Sequence, residues 1–284
     1  MLKNNLLSKY MKPLLPRPCA FHRSGKLEDK IQCILFDIYG TLFISGSGDI
    51  GTAKGQPYAS EDLKNLMKSF GIPQTPPELL NRFFATIETT HQALNEKGVD
   101  FPEVEIDRIW MRVLEIDDLD TVRTFAMEFE WIVNPVYPMP NLEKTLSTCK
   151  AANVLLGIIS NAQFYTPYLF KWFLDSSPED FGFHPDLIFY SYNFGYAKPS
   201  IFMFDAAAEE LRKMGVSPHS VLYVGNDMLK DIYPANKAGF RTALFAGDAR
   251  SLRLRENDPK CKDLSADIVI TDLVQILDHI PSVS

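Results

Sequence analysis

Short apolar runs alternate along the chain with amphipathic stretches. Six runs, at residues 31–36, 154–159, 187–190, 221–224, 242–245 and 267–270, are rich in Ile, Val, Leu and Phe and are bounded by Gly, Pro, Asn or Asp. Unbroken apolar runs of this length are the pattern of strands covered on both faces in a parallel sheet. From the second run onward the intervening stretches read as helices, as in Leu142–Ala151 and residues 201–214. Strands and helices that alternate through right-handed crossovers predict an α/β fold, a doubly wound parallel sheet in three layers.

The rhythm breaks once. More than a hundred residues separate the first run from the second, too many for one crossover. Within that gap Leu79, Leu80, Phe83, Phe84 and Ile87 recur at helical spacing, and so do Val122, Phe125, Ala126, Phe129 and Ile132. Residues 47–135 are therefore expected to form an inserted helical subdomain. Pro73, Pro76 and Pro77 punctuate its early part, and Pro135, Pro138 and Pro140 its exit. The core is expected over residues 31–46 and 136–284. Residues 1–30 are basic and broken into short apolar pairs, without the continuous apolar stretch of a signal peptide. They are expected to be an extension packed on the surface or partly disordered.

Charge narrows the partners. The net charge of −7 argues against nucleic acid, which needs clustered Lys and Arg. A phosphorylated small molecule stays open, because one local cation can reverse the field inside a cleft. Cys19, Cys33, Cys149 and Cys261 are scattered, with no paired or metal-ligand spacing, and read as reduced structural thiols of a cytoplasmic protein. No apolar run is long enough to span a membrane. Oligomeric state is not readable.

Four segments place polar residues at the carboxyl ends of predicted strands, the edge at which open parallel sheets bind ligands. They are Asp37-Ile38-Tyr39-Gly40-Thr41, Ser160-Asn161, Lys198-Pro199 and Gly225-Asn226-Asp227-Met228-Leu229-Lys230-Asp231. Singly, each reads as a turn or a helix cap. Together and in this order they resemble the four motifs of the haloacid-dehalogenase-like superfamily, over residues 31–45 and 136–272. The resemblance implies a Rossmann-like core with a helical cap inserted after the first motif.

It also implies a chemistry. Asp37 would be the nucleophile of an aspartyl-enzyme intermediate. A carboxylate attacking a phosphate dianion needs a cation, and Mg²⁺ suits oxygen ligands. Asp37 and Asp227 would bind it, with Asp231 as a ligand or outer partner and the Tyr39 backbone carbonyl as a further oxygen. Family spacing could equate the first acid of the last motif with Asn226 or Asp227; Asp227 is preferred because a carboxylate binds Mg²⁺ better than an amide. Lys198 would pair with Asp37 and the phosphate. Ser160 and Asn161 would hold phosphate oxygens, together with backbone amides near Gly40 and Thr41.

The first motif departs from the phosphatase pattern. Tyr39 stands where phosphatases of the superfamily carry the Asp that protonates the leaving group, and the dehalogenases resemble this chain there. The expectation is a Mg²⁺-dependent hydrolase of a small phosphorylated metabolite, with Tyr39 in the acid–base position. The alternatives are a 2-haloacid C–halide hydrolase and a catalytically weak binding protein on the same scaffold. Gly46-Ser47-Gly48-Asp49-Ile50-Gly51 fits the dinucleotide pattern G-x-G-x-x-G, but it lies well past the strand end and precedes poor helix material. It is expected to be a flap between core and cap.

Overall fold

The computed structural model describes Tyr10 and residues 12–28, 30–47 and 60–281. The strands are β1 (Ser24–Gly25), β2 (Cys33–Phe36), β3 (Phe43–Ser45), β4 (Val136–Pro138), β5 (Leu155–Ser160), β6 (Phe183–Tyr190), β7 (Val221–Gly225), β8 (Arg241–Phe245) and β9 (Ile268–Ile270). Seven of them form one sheet in the order β1-β9-β8-β7-β2-β5-β6. All its pairings are parallel except β1 with β9. The six predicted runs are β2 and β5 to β9, so the sheet is the doubly wound α/β core expected.

Alternate residues of each central strand feed opposite apolar layers. Ile34 and Phe36 pack with Leu142, Leu146 and Cys149 on one face; Cys33 and Leu35 pack with Met203, Phe204, Ala207 and Leu211 on the other. This double burial explains why the runs are unbroken rather than alternating. Strand β6 begins four residues before its predicted start because Pro185 and Asp186, which read as a turn, lie exposed on a strand at the sheet edge. Proline is tolerated there because an edge strand has N–H groups with no ladder to join.

The long gap folds into helices α1 (Glu61–Ser69), α2 (Pro76–Asn95), α3 (Ile106–Leu114) and α4 (Leu119–Val133). Local signals start them. Thr75 and Glu78 form a capping box at α2, whose first turn holds two prolines, and Asp118 caps α4 by accepting from Thr121 N. The apolar positions read from the sequence converge on one core of their own, in which Trp110 stacks on Phe83 at 4.1 Å and meets Phe125 and Phe129 edge-on.

The chain leaves the sheet through β3 and returns through β4, which pair as an antiparallel ribbon that the sequence pattern did not reveal. Polar contacts dock the helices on the sheet. Gln163 accepts from Ile106 N at 2.9 Å and donates to Val104 O at 2.9 Å, and Ser45 donates to Asn134 at 2.8 Å. Gly46 N donates to Pro135 O, closing the ribbon, so this glycine does not open a strand-to-helix phosphate turn. Gly48 to Gly51 lie outside the described residues.

Residues 12–28 run along the surface. Arg17 bonds Asp248 and Ala249 through its backbone, and β1 extends the sheet. All four cysteines are free. Among the described residues no helix is long and apolar enough to cross a membrane.

Because Trp110 is fully enclosed by aromatic rings, Trp110→Ala is expected to lower stability by about 3–5 kcal/mol. Urea titration should show the midpoint shift; a loss under about 1 kcal/mol would mean that this stack does not hold the helices together.

Candidate functional site

The strand order places β2 between β7 and β5, so the chain turns away in opposite directions from the two sides of β2. A crevice opens at the carboxyl ends of such strands. Asp37 stands there, directly after β2, with its N–H bonded to Val224 O of β7. Ser160 ends β5, and Gly225 ends β7. Two glycines make the fit possible. Gly40 has φ +84°, and a Cβ on it would lie 2.5 Å from Ser251 Cβ. A Cβ on Gly225 would lie 2.4 Å from Asp231 Cγ.

A buried ammonium joins the motifs. Lys198 Nζ donates to Asp37 Oδ1 at 2.7 Å and to Asp231 Oδ1 at 2.5 Å. The side chains of Lys198, Asp37 and Asp231 are 3, 9 and 1% exposed, so this triad is almost fully desolvated. Burial pulls the Lys198 pKa down, but the two carboxylates outweigh it and the net shift is upward. Tyr223, on β7, completes the network: its Oη donates to Ile159 O and lies within hydrogen-bonding distance of Lys198 Nζ and Asp231 Oδ1. Asp231 Oδ2 accepts from Asn226 N and Asp227 N, both at 2.9 Å. Three donors, Lys198 Nζ and the two amides, thus hold this carboxylate, with the Tyr223 hydroxyl beside it. Burial raises its pKa while Lys198 pulls the other way.

Several expected phosphate contacts are instead internal. Ser160 Oγ donates to Asp37 Oδ1 at 2.8 Å. Asn161 clamps the Lys198 backbone, accepting from its N–H at 2.7 Å and donating to its carbonyl at 3.2 Å. The Gly40 amide donates to Phe43 O and the Thr41 amide to Ile38 O, which closes the turn and uses both donors. Thr41 Oγ1 donates to Asn226 Oδ1. Ser160, Asn161, Gly40 and Thr41 thus all make hydrogen bonds within the site itself.

Asp227, preferred over Asn226 as a metal ligand, is engaged within its own loop. Asp227 Oδ1 accepts from Leu229 N and Lys230 N, as a helix cap does, and Arg255 grips both its carboxylate oxygens, the shortest contact being 2.6 Å. Its lone pairs are spent on the loop. Among the described residues no three His, Cys, Asp or Glu side chains converge on a metal position. Residues that could hold Mg²⁺ are Asp37, whose Oδ2 accepts no hydrogen bond among the described residues, Tyr39 through its carbonyl, and Asn226 through Oδ1. A Mg²⁺ site needs only one or two carboxylates when waters and substrate complete it.

The crevice continues into a cavity of about 1030 Å³ between sheet and helices. Asp37, Tyr39, Asn161, Lys198, Asn226, Asp227 and Asp231 all line it. The Tyr39 hydroxyl pairs with Thr166 Oγ1 at 2.9 Å. Burial and the nearby Glu130 carboxyl raise this phenol well above its ordinary range, so it keeps its proton and cannot act as a base at neutral pH. Within the helical insertion, His91 and Trp110 reach the cavity wall. Arg112 is exposed, and Trp131 packs with Tyr165 in a separate apolar cluster.

Tyr223, Arg255 and Glu130 were not foreseen. A lone tyrosine inside the apolar run 221–224 was the one available signal, since a buried hydroxyl requires a partner. Glu130 and Arg255 sit on a helix face and in a late loop, where the sequence gives nothing to single them out.

A βαβ core with this Asp–Lys–Asp triad at its switch point, under a helical insertion, defines a class of α/β hydrolases. The family model for haloacid dehalogenase-like hydrolases matches residues 31–239, and the chain belongs to that family. It is similar to the glyceraldehyde 3-phosphate phosphatase of Methanothermobacter thermautotrophicus, with 31% identity over 87% of this chain and 98% of the relative. The protein of the same name from Methanocaldococcus jannaschii is 28% identical, over 87% and 96%. Among solved structures, 2-haloacid dehalogenase from Pseudomonas syringae pv. Tomato has 21% identity and a TM-score of 0.53, covering 88% of this chain and 97% of the other. A HAD phosphatase from Thermococcus onnurineus has 18% identity and a TM-score of 0.52, covering 88% and 99%. Both share the fold.

Glu130, on α4, accepts from Asn134 Nδ2 at 2.9 Å and Tyr165 Oη at 3.0 Å, and burial pushes its pKa from 4.5 up to about 6. The folded protein therefore holds this proton more tightly than the unfolded chain. The associated stability, about 2 kcal/mol, is present in full below pH 4.5 and is lost as pH rises through about 6. Glu130→Gln is expected to lose about 2 kcal/mol less than the parent between pH 4.5 and 8. Urea titrations at both pH values test this, and equal losses in the two proteins would remove Glu130 as the cause.

Proposed function

We propose that this chain is a Mg²⁺-dependent phosphomonoesterase acting on a small phosphorylated metabolite through an aspartyl-enzyme intermediate on Asp37. The observation that carries this reading is the pinning of Asp37. Ser160 and Lys198 both hold Oδ1, while among the described residues none donates a hydrogen bond to Oδ2, in a carboxylate that lines the cavity. A fixed carboxylate with one free oxygen is poised to displace an alkoxide from phosphorus, after which water cleaves the acyl phosphate. The phosphatase names of two relatives at 28 and 31% identity support the same chemistry.

Charge explains the cation. Asp37 and Asp231 share Lys198, and Asp227 pairs with Arg255; the cavity wall adds Lys230 and Arg253 but also Glu88, Glu96, Glu103 and Glu130, so carboxylates outnumber cations. A phosphate dianion would be repelled by the remaining negative charge. Mg²⁺ held by the Asp37 carboxylate, Tyr39 O and Asn226 Oδ1 would supply the neutralisation. Lys198 orients Asp37 and offsets charge beside it. Asn161 keeps the lysine backbone in place. Residues 47–135 serve as a cap that encloses the leaving group. Tyr39, neutral and bonded to Thr166, offers hydrogen bonding where a carboxylate would supply acid–base catalysis.

A second reading has an observation in its favour. Tyr39 in the acid–base position and Asp227 engaged by Arg255 suit C–halide hydrolysis, in which the halide leaves as an anion without a proton. The two readings separate on substrate and metal. Phosphate esters should turn over only with Mg²⁺, chelation should abolish turnover, and Mg²⁺ should raise Tm by binding the native state. Asp37→Asn should stay folded and lose turnover by about 10³-fold or more, since an amide is a poor nucleophile. Metal-independent hydrolysis of 2-chloropropionate, with no phosphate ester cleaved, would replace the phosphatase reading.

Tyr39→Asp is expected to raise turnover of an alkyl phosphate, whose leaving group needs a proton, by about 10-fold or more; general acid–base catalysis contributes roughly 10²–10⁴-fold. An activated aryl phosphate should gain less. Folding and Mg²⁺ affinity are measured alongside. A folded, Mg²⁺-binding variant with equal or lower turnover on both esters would show that no acid–base carboxylate is missing here.

A further inference from the structure

The cavity beyond the phosphate end has a wall of defined chemistry. Helix α2 presents Phe83, Phe84 and Ile87 to it, spaced so that they share one face. Helix α3 adds Trp110, and α4 adds Ala126 and Phe129. Phe129 directly precedes Glu130, whose charge is felt at Tyr39, so the apolar wall adjoins the acid–base position. Polar side chains on the same face of α2, His91, Gln92 and Asn95, follow further along the helix.

Size points the same way. At about 1030 Å³ the cavity lies at the upper end of the roughly 300–1,000 Å³ of pockets that enclose drug-sized ligands. A three-carbon phosphate would occupy a small part of it and leave the half-buried Phe84 and Ile87 against water, with the nearly buried Phe83, Trp110, Ala126 and Phe129 behind them. Apolar walls gain from contact with apolar ligands and gain nothing from a hydroxylated chain that must be desolvated to reach them.

We infer that the substrate is a phosphate monoester of an alcohol or phenol with a sizeable apolar or aromatic body, which lies against the face formed by Phe83, Phe84, Ile87, Trp110, Ala126 and Phe129. This inference rests on the phosphomonoesterase reading. Cleavage forms the Asp37 oxygen–phosphorus bond, breaks the phosphorus–ester oxygen bond, and releases the apolar body as an alkoxide or phenoxide that takes a proton from water; a second water then attacks phosphorus, breaks the Asp37 oxygen–phosphorus bond and leaves inorganic phosphate and the free carboxylate.

The test is a series of phenyl, 4-propylphenyl and 4-pentylphenyl phosphates with Mg²⁺, in which the leaving group stays nearly constant while the apolar body grows. Each fully buried methylene contributes about fourfold. A kcat/KM at least about 30-fold higher for 4-pentylphenyl than for phenyl phosphate is expected. In Ile87→Ser, a change at the wall, that ratio should drop by about fivefold or more. Turnover of phenyl phosphate with less than about threefold gain along the series would overturn the inference and leave the phosphatase reading standing. If no phosphate ester is cleaved, the phosphatase reading fails, and calorimetric binding of phenol, 4-propylphenol and 4-pentylphenol decides the wall's role. Affinity rising along that series supports an apolar-body ligand, and flat affinity overturns it.

Discussion

One buried ammonium organises the polar centre of this molecule. Lys198 lies between Asp37 and Asp231, and each carboxylate would repel the other without it. Breaking such a desolvated ion pair from one side costs about 3–5 kcal/mol, so the arrangement is self-enforcing once folded. The neighbours serve it. Tyr223 bridges the lysine and Asp231 from below, Asn161 grips the lysine backbone, and Gly225 leaves room for the Asp231 carboxylate. Three strand ends must meet for this to happen, and the order β7-β2-β5 brings them together.

The same economy governs the loop after β7. Asp231 accepts the two amides that begin the loop, and Asp227 accepts the two that follow and then meets Arg255. Two acids that a motif alone would assign to a metal are thereby committed to backbone and guanidinium. What remains open to a ligand is one oxygen of Asp37 and neutral oxygens around it. A site of this kind depends on substrate and solvent to complete a cation's coordination, in keeping with the way Mg²⁺ is ordinarily held.

The helical insertion has a core independent of the sheet, yet its polar contacts to residues 161–166 set where the cavity lies. Its aromatic rings stack on one another on one side and form the cavity wall on the other. Stability of the insertion and the shape of the space offered to a ligand are therefore set by the same side chains. Buried Glu130 is the exception in that layer. Its carboxyl tolerates burial because Asn134 and Tyr165 satisfy its oxygens, and it ties the insertion to the core.

The sequence by itself determined the sheet and its interior, because strands buried on both faces must be apolar throughout, and the helices, because their apolar stripes and caps are local. It also indicated that Asp37, Ser160 and the 225–231 loop stand at the ends of β2, β5 and β7, whereas Lys198 lies past a helical turn that follows β6. It could not fix what those side chains touch. Asp227 and Asn226 are neighbours with equal claims in a motif; only the folded loop turned Asp227 toward Arg255, 28 residues on. Nor could the motif reveal that Tyr39 is buried, with its hydroxyl on Thr166 and the Glu130 carboxyl nearby, both far along the chain. The edge pairing of β1 and the β3–β4 ribbon escaped notice because two- and three-residue strands carry no periodicity. Periodicity and propensity are properties of neighbouring residues, whereas hydrogen-bond partners, desolvation and cavity walls come from residues that meet only when the chain has closed on itself.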